Sequence, residues 1–212
     1  MKANRLQIKI CGITNLEDAK ACVELGADMI GLNFYPPSPR YLEPQRAREI
    51  VEALSCSARA VGVFVDAPAS EIRTIAKTAG IRFVQLHGDF PSDTCRELAR
   101  EFRVIRAFST DGRFQPEAAG AFPDCDVLLD AHHVELRGGT GVTCDWSAAR
   151  ATLPFARFLI LSGGLNAQNV AHAIAAVAPH AVDVCSGVER APGMKDYRTI
   201  EKFIAAVGTA EC

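Results

Sequence analysis

The sequence predicts an α/β chain folded as a single-domain (β/α)8 barrel over residues 1–212, and three observations lead there. Short apolar runs return about every 21 to 31 residues, which is the spacing of βαβ units. One-sided apolar stripes of helical period lie between them. The paired glycines follow the last two runs and not the first. After the first run, where an open dinucleotide-binding sheet carries G-x-G-x-x-G, the chain reads Cys11-Gly12-Ile13-Thr14. Ser162-Gly163-Gly164 and Ser186-Gly187 stand instead where closed barrels commonly hold a phosphate.

The expected strands are Leu6 to Ile10, Met29 to Phe34, Ala60 to Val65, Phe83 to Leu86, Val104 to Phe108, Val127 to Leu129, Phe158 to Leu161 and Val182 to Cys185. Helical stripes follow at Ala47/Ile50/Val51/Leu54, Ile72/Ile75/Ala76/Ala79, Cys95/Leu98/Ala99/Phe102, Val170/Ala173/Ile174/Val177 and Ile200/Phe203/Ile204/Val207. Asn15 and Asn166 can cap the helices after them, Pro44 suits a first helical turn, and Gly26 and Gly80 suit left-handed exits. The fifth and sixth helices, Gln115 to Gly120 and Ser147 to Thr152, are short enough to be single turns.

A chain of 212 residues that is 49% hydrophobic can bury one substantial core without help from disulfides. Its net charge of -2 comes from interspersed signs, which argues against nucleic acid or an anionic membrane as partner. No run is long and apolar enough to span a bilayer, and the N-terminal residues have no signal-type stretch, so a cytoplasmic location is expected. Eight cysteines are scattered without C-x-x-C spacing and are expected to be reduced.

Two strands end on groups able to move a proton, Cys11 and Asp130, at the end of a barrel where chemistry is done. Cys11 is either a small buried hydrophobe or a base, and as a base it needs positive charge nearby to reach the thiolate. Lys9 shares its strand face and supplies that charge. A lysine inside a barrel needs a partner, and Asp183 on strand eight is the expected one, because closure sets that strand beside strand one. Asp130 is either a turn-forming carboxyl or an acid; no helix starts there for it to cap, and an acid at neutral pH needs a raised pKa. Arg40 ends the stiff loop Pro36-Pro37-Ser38-Pro39, where it is either solvated or a forked clamp for a carboxylate. His87 closes strand four and shapes the mouth. The late glycines are either tight turns or a phosphate cradle, with Gly164, Ser186 and Gly187 offering amides. Gly138-Gly139-Thr140-Gly141 is either a linker or a flap over a ligand. His132 and His133 are adjacent, without metal-ligand spacing, and no metal is expected.

The strings Lys9-Ile10-Cys11-Gly12-Ile13-Thr14, Gly31-Leu32-Asn33-Phe34-Tyr35-Pro36, Val84-Gln85-Leu86-His87-Gly88, Leu128-Leu129-Asp130, Leu161-Ser162-Gly163-Gly164-Leu165-Asn166 and Ser186-Gly187-Val188-Glu189 fall at successive strand ends. In that order they resemble the phosphoribosylanthranilate isomerase family of tryptophan biosynthesis, essentially over the whole chain. The resemblance implies an Amadori rearrangement without a cofactor, with Cys11 as general base and Asp130 as general acid. It also implies Arg40 as clamp for the anthranilate carboxylate and Gly164, Ser186 and Gly187 as the phosphate site. His87 and Asp183 are expected to join the substrate-binding set. The partner is a small phosphosugar, and the chain a monomer or homodimer. One departure is Cys144, where the family usually has an aromatic residue before Asp145-Trp146; Ala131 to Arg137 matches nothing interpretable. A sister isomerase of histidine biosynthesis, which resembles a barrel with aspartate at the end of strand one, is disfavoured by Cys11. A silent phosphosugar-binding barrel is disfavoured by the presence of both Cys11 and Asp130.

Overall fold

A computed structural model describes residues 5–54, 57–110, 113–130 and 146–210. Eight parallel strands close into a barrel in chain order: β1 (Gln7–Ile10), β2 (Met29–Asn33), β3 (Arg59–Val65), β4 (Phe83–His87), β5 (Arg103–Ser109), β6 (Asp126–Asp130), β7 (Leu159–Ser162) and β8 (Ala181–Val184). Closure is made by β1 against β8, with Lys9 opposite Asp183 and Ile10 opposite Val184. The helices are α1 (Leu16–Leu25), α2 (Pro44–Leu54), α3 (Ala69–Ala79), α4 (Ser92–Leu98), α5 (Ser147–Thr152), α6 (Val170–Val177) and α7 (Tyr197–Ala210). Among the described residues no helix is long and apolar enough to cross a membrane.

Side chains alternate along each strand, so the apolar core divides in two. Ile8, Ile10, Val84, Leu86, Val182 and Val184 point outward into a layer shared with Ile72, Leu98, Val170 and Phe203 of the helices. Met29, Val61, Ile105, Leu128, Ile160 and Ala181 point inward and fill the barrel itself. Above this plug the same inward faces carry Lys9, Gln85 and Asp183, all buried and polar. An apolar floor under a polar layer is what sets chemistry at the carboxyl end of the strands.

The terminal signals of the helices act as the chain reads, with two exceptions. Asn15 accepts the Asp18 amide at 2.8 Å, and Gly26 and Gly80 close their helices at φ of 117° and 71°. Asn166 does not cap α6. Its side-chain Oδ1 accepts the amides of Gln168 and Asn169 in a local turn, and Asn169 takes the N-terminal position three residues later. The helical stripe running to Phe102 also stops early, at Leu98, because the chain must turn there to enter β5 at Arg103. The expected fifth helix is a 3-10 segment, Pro116–Ala121, while the sixth is the single short helix α5.

One element has no counterpart in the sequence reading. After β8 a 3-10 turn, Ser186–Val188, leads into a small antiparallel hairpin of β9 (Glu189–Ala191) and β10 (Met194–Lys195). Gly193 turns it at φ 77°, and Thr14 Oγ1 donates to the Gly193 carbonyl at 2.7 Å, tying the hairpin to the β1 exit. Gly138 to Gly141, His132, His133, Cys144 and the segment 131–137 lie outside the described residues. The described cysteines 11, 22, 95, 125 and 185 are all free thiols.

Candidate active site

Lys9 and Asp183 meet where the register of β1 and β8 puts them. Lys9 Nζ donates to Asp183 Oδ1 at 3.0 Å with the lysine wholly buried. The other carboxylate oxygen accepts weakly from Ser162 Oγ at 3.4 Å. Burial opposes the ammonium charge of Lys9, but the Asp183 carboxylate and the nearby Cys11 outweigh it and hold its pKa above the ordinary value. Lys9 is therefore a fixed positive charge beneath Cys11.

Cys11 stands one step past the end of β1, with its amide donating to Val184 O at 2.8 Å. Its thiol is drawn down to about 7. The first cause is the neighbouring Cys185 thiol; burial works against ionisation, and the Lys9 charge works for it. Cys185 is pushed well above the usual thiol range, chiefly by the adjacent Cys11 and then by burial. From the sequence, Lys9 is the charge expected to activate Cys11. Cys185 was visible as the last residue of strand eight, and closure of the barrel would have placed it beside Cys11. The Cys11 sulfur also depends on Gly31, where a Cβ would lie 2.6 Å from Sγ.

Arg40 reaches over Gly12, whose absent Cβ would sit 2.6 Å from the Arg40 Cδ. Its guanidinium is held by a forked pair of bonds to Glu189, Nε to Oε1 at 2.9 Å and Nη2 to Oε2 at 2.6 Å. Nη1 has no protein partner among the described residues. Glu189 Oε1 also accepts from Lys195 Nζ at 2.9 Å. Burial alone would raise the Glu189 pKa, yet Arg40 and Lys195 together hold it below the usual carboxylate range. Lys195 Nζ also donates to the Cys11 carbonyl at 2.6 Å and the Cys185 carbonyl at 3.3 Å. Glu189 and Lys195 were missed from sequence because each is a lone charge in a loop, and only the hairpin folds them inward.

Asp130 ends β6 on the inner face, two residues beyond inward Leu128, and lies in register with Ser109 on one side and Ser162 on the other. Ser162 in turn touches Asp183, so a polar row runs from Asp130 to Lys9, one inward position below Cys11. His87, at the end of β4, contacts Gln85 through Nε2 at 2.6 Å. Burial first, then the charges of Lys9 and Arg106, lower its pKa to about 4, so its ring is neutral in neutral solution. The glycine turns after β7 and β8 come together. A Cβ on Gly187 would meet the Leu165 carbonyl oxygen at 2.0 Å, and Gly163 and Gly164 adopt φ of 95° and 63°. Asn169 Nδ2 donates to the Gly164 carbonyl at 3.0 Å, fixing that turn.

A closed parallel barrel with a thiol, a carboxyl and glycine-lined turns at one mouth has the architecture of a (β/α)8 enzyme, whose chemistry sits at the carboxyl ends of the strands. Its family is more specific. Residues 8–206 match the model of N-(5'-phosphoribosyl)anthranilate isomerase, and the chain belongs to that family. It is 45% identical over 94% of its length to the isomerase of Geobacter sp. strain M21, covering 96% of that protein. It is also 45% identical to the isomerase of Thermotoga maritima, covering 97% of it. The crystal structure of the Thermotoga maritima enzyme superposes with a TM-score of 0.89 at 43% identity, covering 96% of this chain and 99% of that one. A second neighbour, solved with reduced 1-(o-carboxyphenylamino)-1-deoxyribulose 5-phosphate, superposes with a TM-score of 0.86 at 42% identity.

Proposed function

We propose that this chain converts N-(5'-phosphoribosyl)anthranilate to 1-(2-carboxyphenylamino)-1-deoxyribulose 5-phosphate by an acid-base Amadori rearrangement in tryptophan biosynthesis. The observation that carries the reading is the lowered thiol of Cys11, which stands at the β1 exit directly above the inward polar row of Lys9, Asp183, Ser162 and Asp130. Asp130 protonates the furanose ring oxygen, and the ring opens to an iminium at C1. The Cys11 thiolate then takes the proton from C2, giving an enolamine that tautomerises to the 2-ketone. The ring oxygen becomes the 4-hydroxyl, and no electrons enter or leave overall.

The other groups bind. Arg40, held by Glu189, turns its remaining donors to the anthranilate carboxylate. Gly164, Ser186 and Gly187 take the phosphate through backbone amides, where the close approach to Leu165 excludes any side chain at Gly187. His87, neutral, and Asp183, bound to Lys9, border the sugar. Every role falls to residues of one chain; the Thermotoga maritima relative is described as dimeric, and the reading accommodates a homodimer or a monomer. The free thiols of the described residues suit a cytoplasmic location.

The test generates the substrate from anthranilate and phosphoribosyl pyrophosphate with a transferase and follows the fall of anthranilate-type fluorescence. Wild type is expected to consume it rapidly. Asp130→Asn and Cys11→Ser are expected to lose on the order of 10²- to 10⁴-fold or more while still binding a product analogue. Near-normal turnover in either variant removes that residue from its role; no turnover in wild type removes the reading.

A further inference from the structure

The proposed chemistry uses the Cys11 thiolate but gives no task to Cys185, the second sulfur at the mouth. Three features fix these sulfurs together. The β1 and β8 register ends with Ile10 opposite Val184, so Cys11 and Cys185 are the next residues along two adjacent parallel strands. Both face inward, because Lys9 and Asp183, two positions earlier, are paired inside the barrel. Lys195 Nζ binds the carbonyls of both cysteines and so clamps the two backbones side by side. Space confines the sulfurs as well: a Cβ on Gly31 would meet Cys11 Sγ at 2.6 Å, and one on Gly12 would meet Cys185 Sγ at 3.0 Å.

The Cys185 thiol has one hydrogen and faces two acceptors, one by contact and one by its place in the barrel. One is Glu189 Oε1 at 3.9 Å, a long contact to an oxygen that already accepts from Arg40 Nε, Lys195 Nζ and the Gly193 amide at 2.9, 2.9 and 3.3 Å. The other is the Cys11 sulfur. We propose that Cys185 is a positioning residue for the base: its thiol donates a hydrogen bond to the Cys11 thiolate, aiming that sulfur and favouring its ionised form. The inference rests on the reading of Cys11 as base and adds a neutral neighbour to the charges that activate it.

The charges around Cys11 leave room for that neighbour to matter. Lys9 from β1 is matched by Asp183 from β8; Arg40 from the loop after β2 and Lys195 from β10 both share Glu189 from β9. Three cations against two carboxylates leave one net positive charge that itself favours the thiolate, and the Cys185 thiol adds to it. The Cys185 thiol leads the influences that lower the Cys11 thiol, and the register of β1 and β8 sets it beside that sulfur. A hydrogen bond to a charged acceptor is worth enough to move a pKa by roughly one unit or more.

The test reads the thiol directly on the unliganded full-length chain, kept reduced. Iodoacetamide alkylation of the Cys11 peptide is followed by mass spectrometry from about pH 5 to 10 in wild type, Cys185→Ala and Cys185→Ser. Cys185→Ala is expected to move the midpoint of Cys11 alkylation up by about one pH unit or more. Cys185→Ser keeps a donor and is expected to return the midpoint to the wild-type value or below it. In turnover, Cys185→Ala should lower kcat near neutral pH with little change in KM and recover at high pH. An unmoved midpoint in Cys185→Ala, or an equal rise in Ala and Ser, overturns the assignment. Alkylation needs no substrate, so a failure of the isomerase reading would show separately, as absent turnover in wild type.

Discussion

Replacing Lys9 by methionine keeps most of its length and removes its charge, which leaves the Asp183 carboxylate buried without its cation. Lys9 is wholly buried and Asp183 nearly so, and their bond is 3.0 Å long. Breaking such a pair by removing one partner costs about 3 to 5 kcal/mol, because an uncompensated charge remains inside. For a domain of this size that lowers the melting temperature by roughly 6 to 20 °C. The doubly substituted Lys9→Met/Asp183→Leu chain removes both charges and should regain most of the loss. Lys9 has its pKa raised in the folded state, so its contribution is complete below the unfolded value of about 10.4 and vanishes as pH climbs through the folded one. The deficit of Lys9→Met should thus persist from about pH 7 to 9 and close only above about pH 10.4. Thermal and urea melts of wild type, both single variants and the double form the cycle. A double variant no more stable than Lys9→Met would refute the claim that burial of an unpaired charge is what the single variant suffers.

The remaining predictions concern the mouth. With Cys11 as base, kcat/KM should rise about tenfold per pH unit below a midpoint near the thiol value of about 7 and flatten above it; a flat profile through neutrality would remove the thiolate from the mechanism. His87, lowered to about 4, should add no further limb above about pH 5, and His87→Asn should leave the midpoint where it is. Gly31→Ala sets a methyl 2.6 Å from Cys11 Sγ and 3.0 Å from its Cα, so the base must shift; kcat should fall by about 10²-fold, and unchanged kcat would show that the sulfur has room. Gly187→Ala drives a methyl against the Leu165 carbonyl oxygen and should raise KM for the phosphorylated substrate far more than it lowers kcat, a split that titration with inorganic phosphate as competitor can check.

The sequence by itself determined the barrel. Strand spacing, helical stripes and late glycines are periodic and local, and each records a physical demand on one segment: a face to bury, a turn to make, an end to cap. It also determined the pair Lys9 and Asp183, because alternation along a strand and closure of the barrel together leave a buried lysine one place to find a carboxylate. Cys11 and Asp130 were legible for the same reason, as polar residues at the inner ends of apolar runs. What only the tertiary structure decided lies in the connections. The β9–β10 hairpin carries Glu189 and Lys195 into the mouth, where one holds Arg40 and the other clamps the backbones of Cys11 and Cys185. Their partners are separated from them by up to 184 residues of chain. No period or spacing encodes a contact between two irregular loops, since its energy comes from desolvated charges that meet only after the barrel has closed.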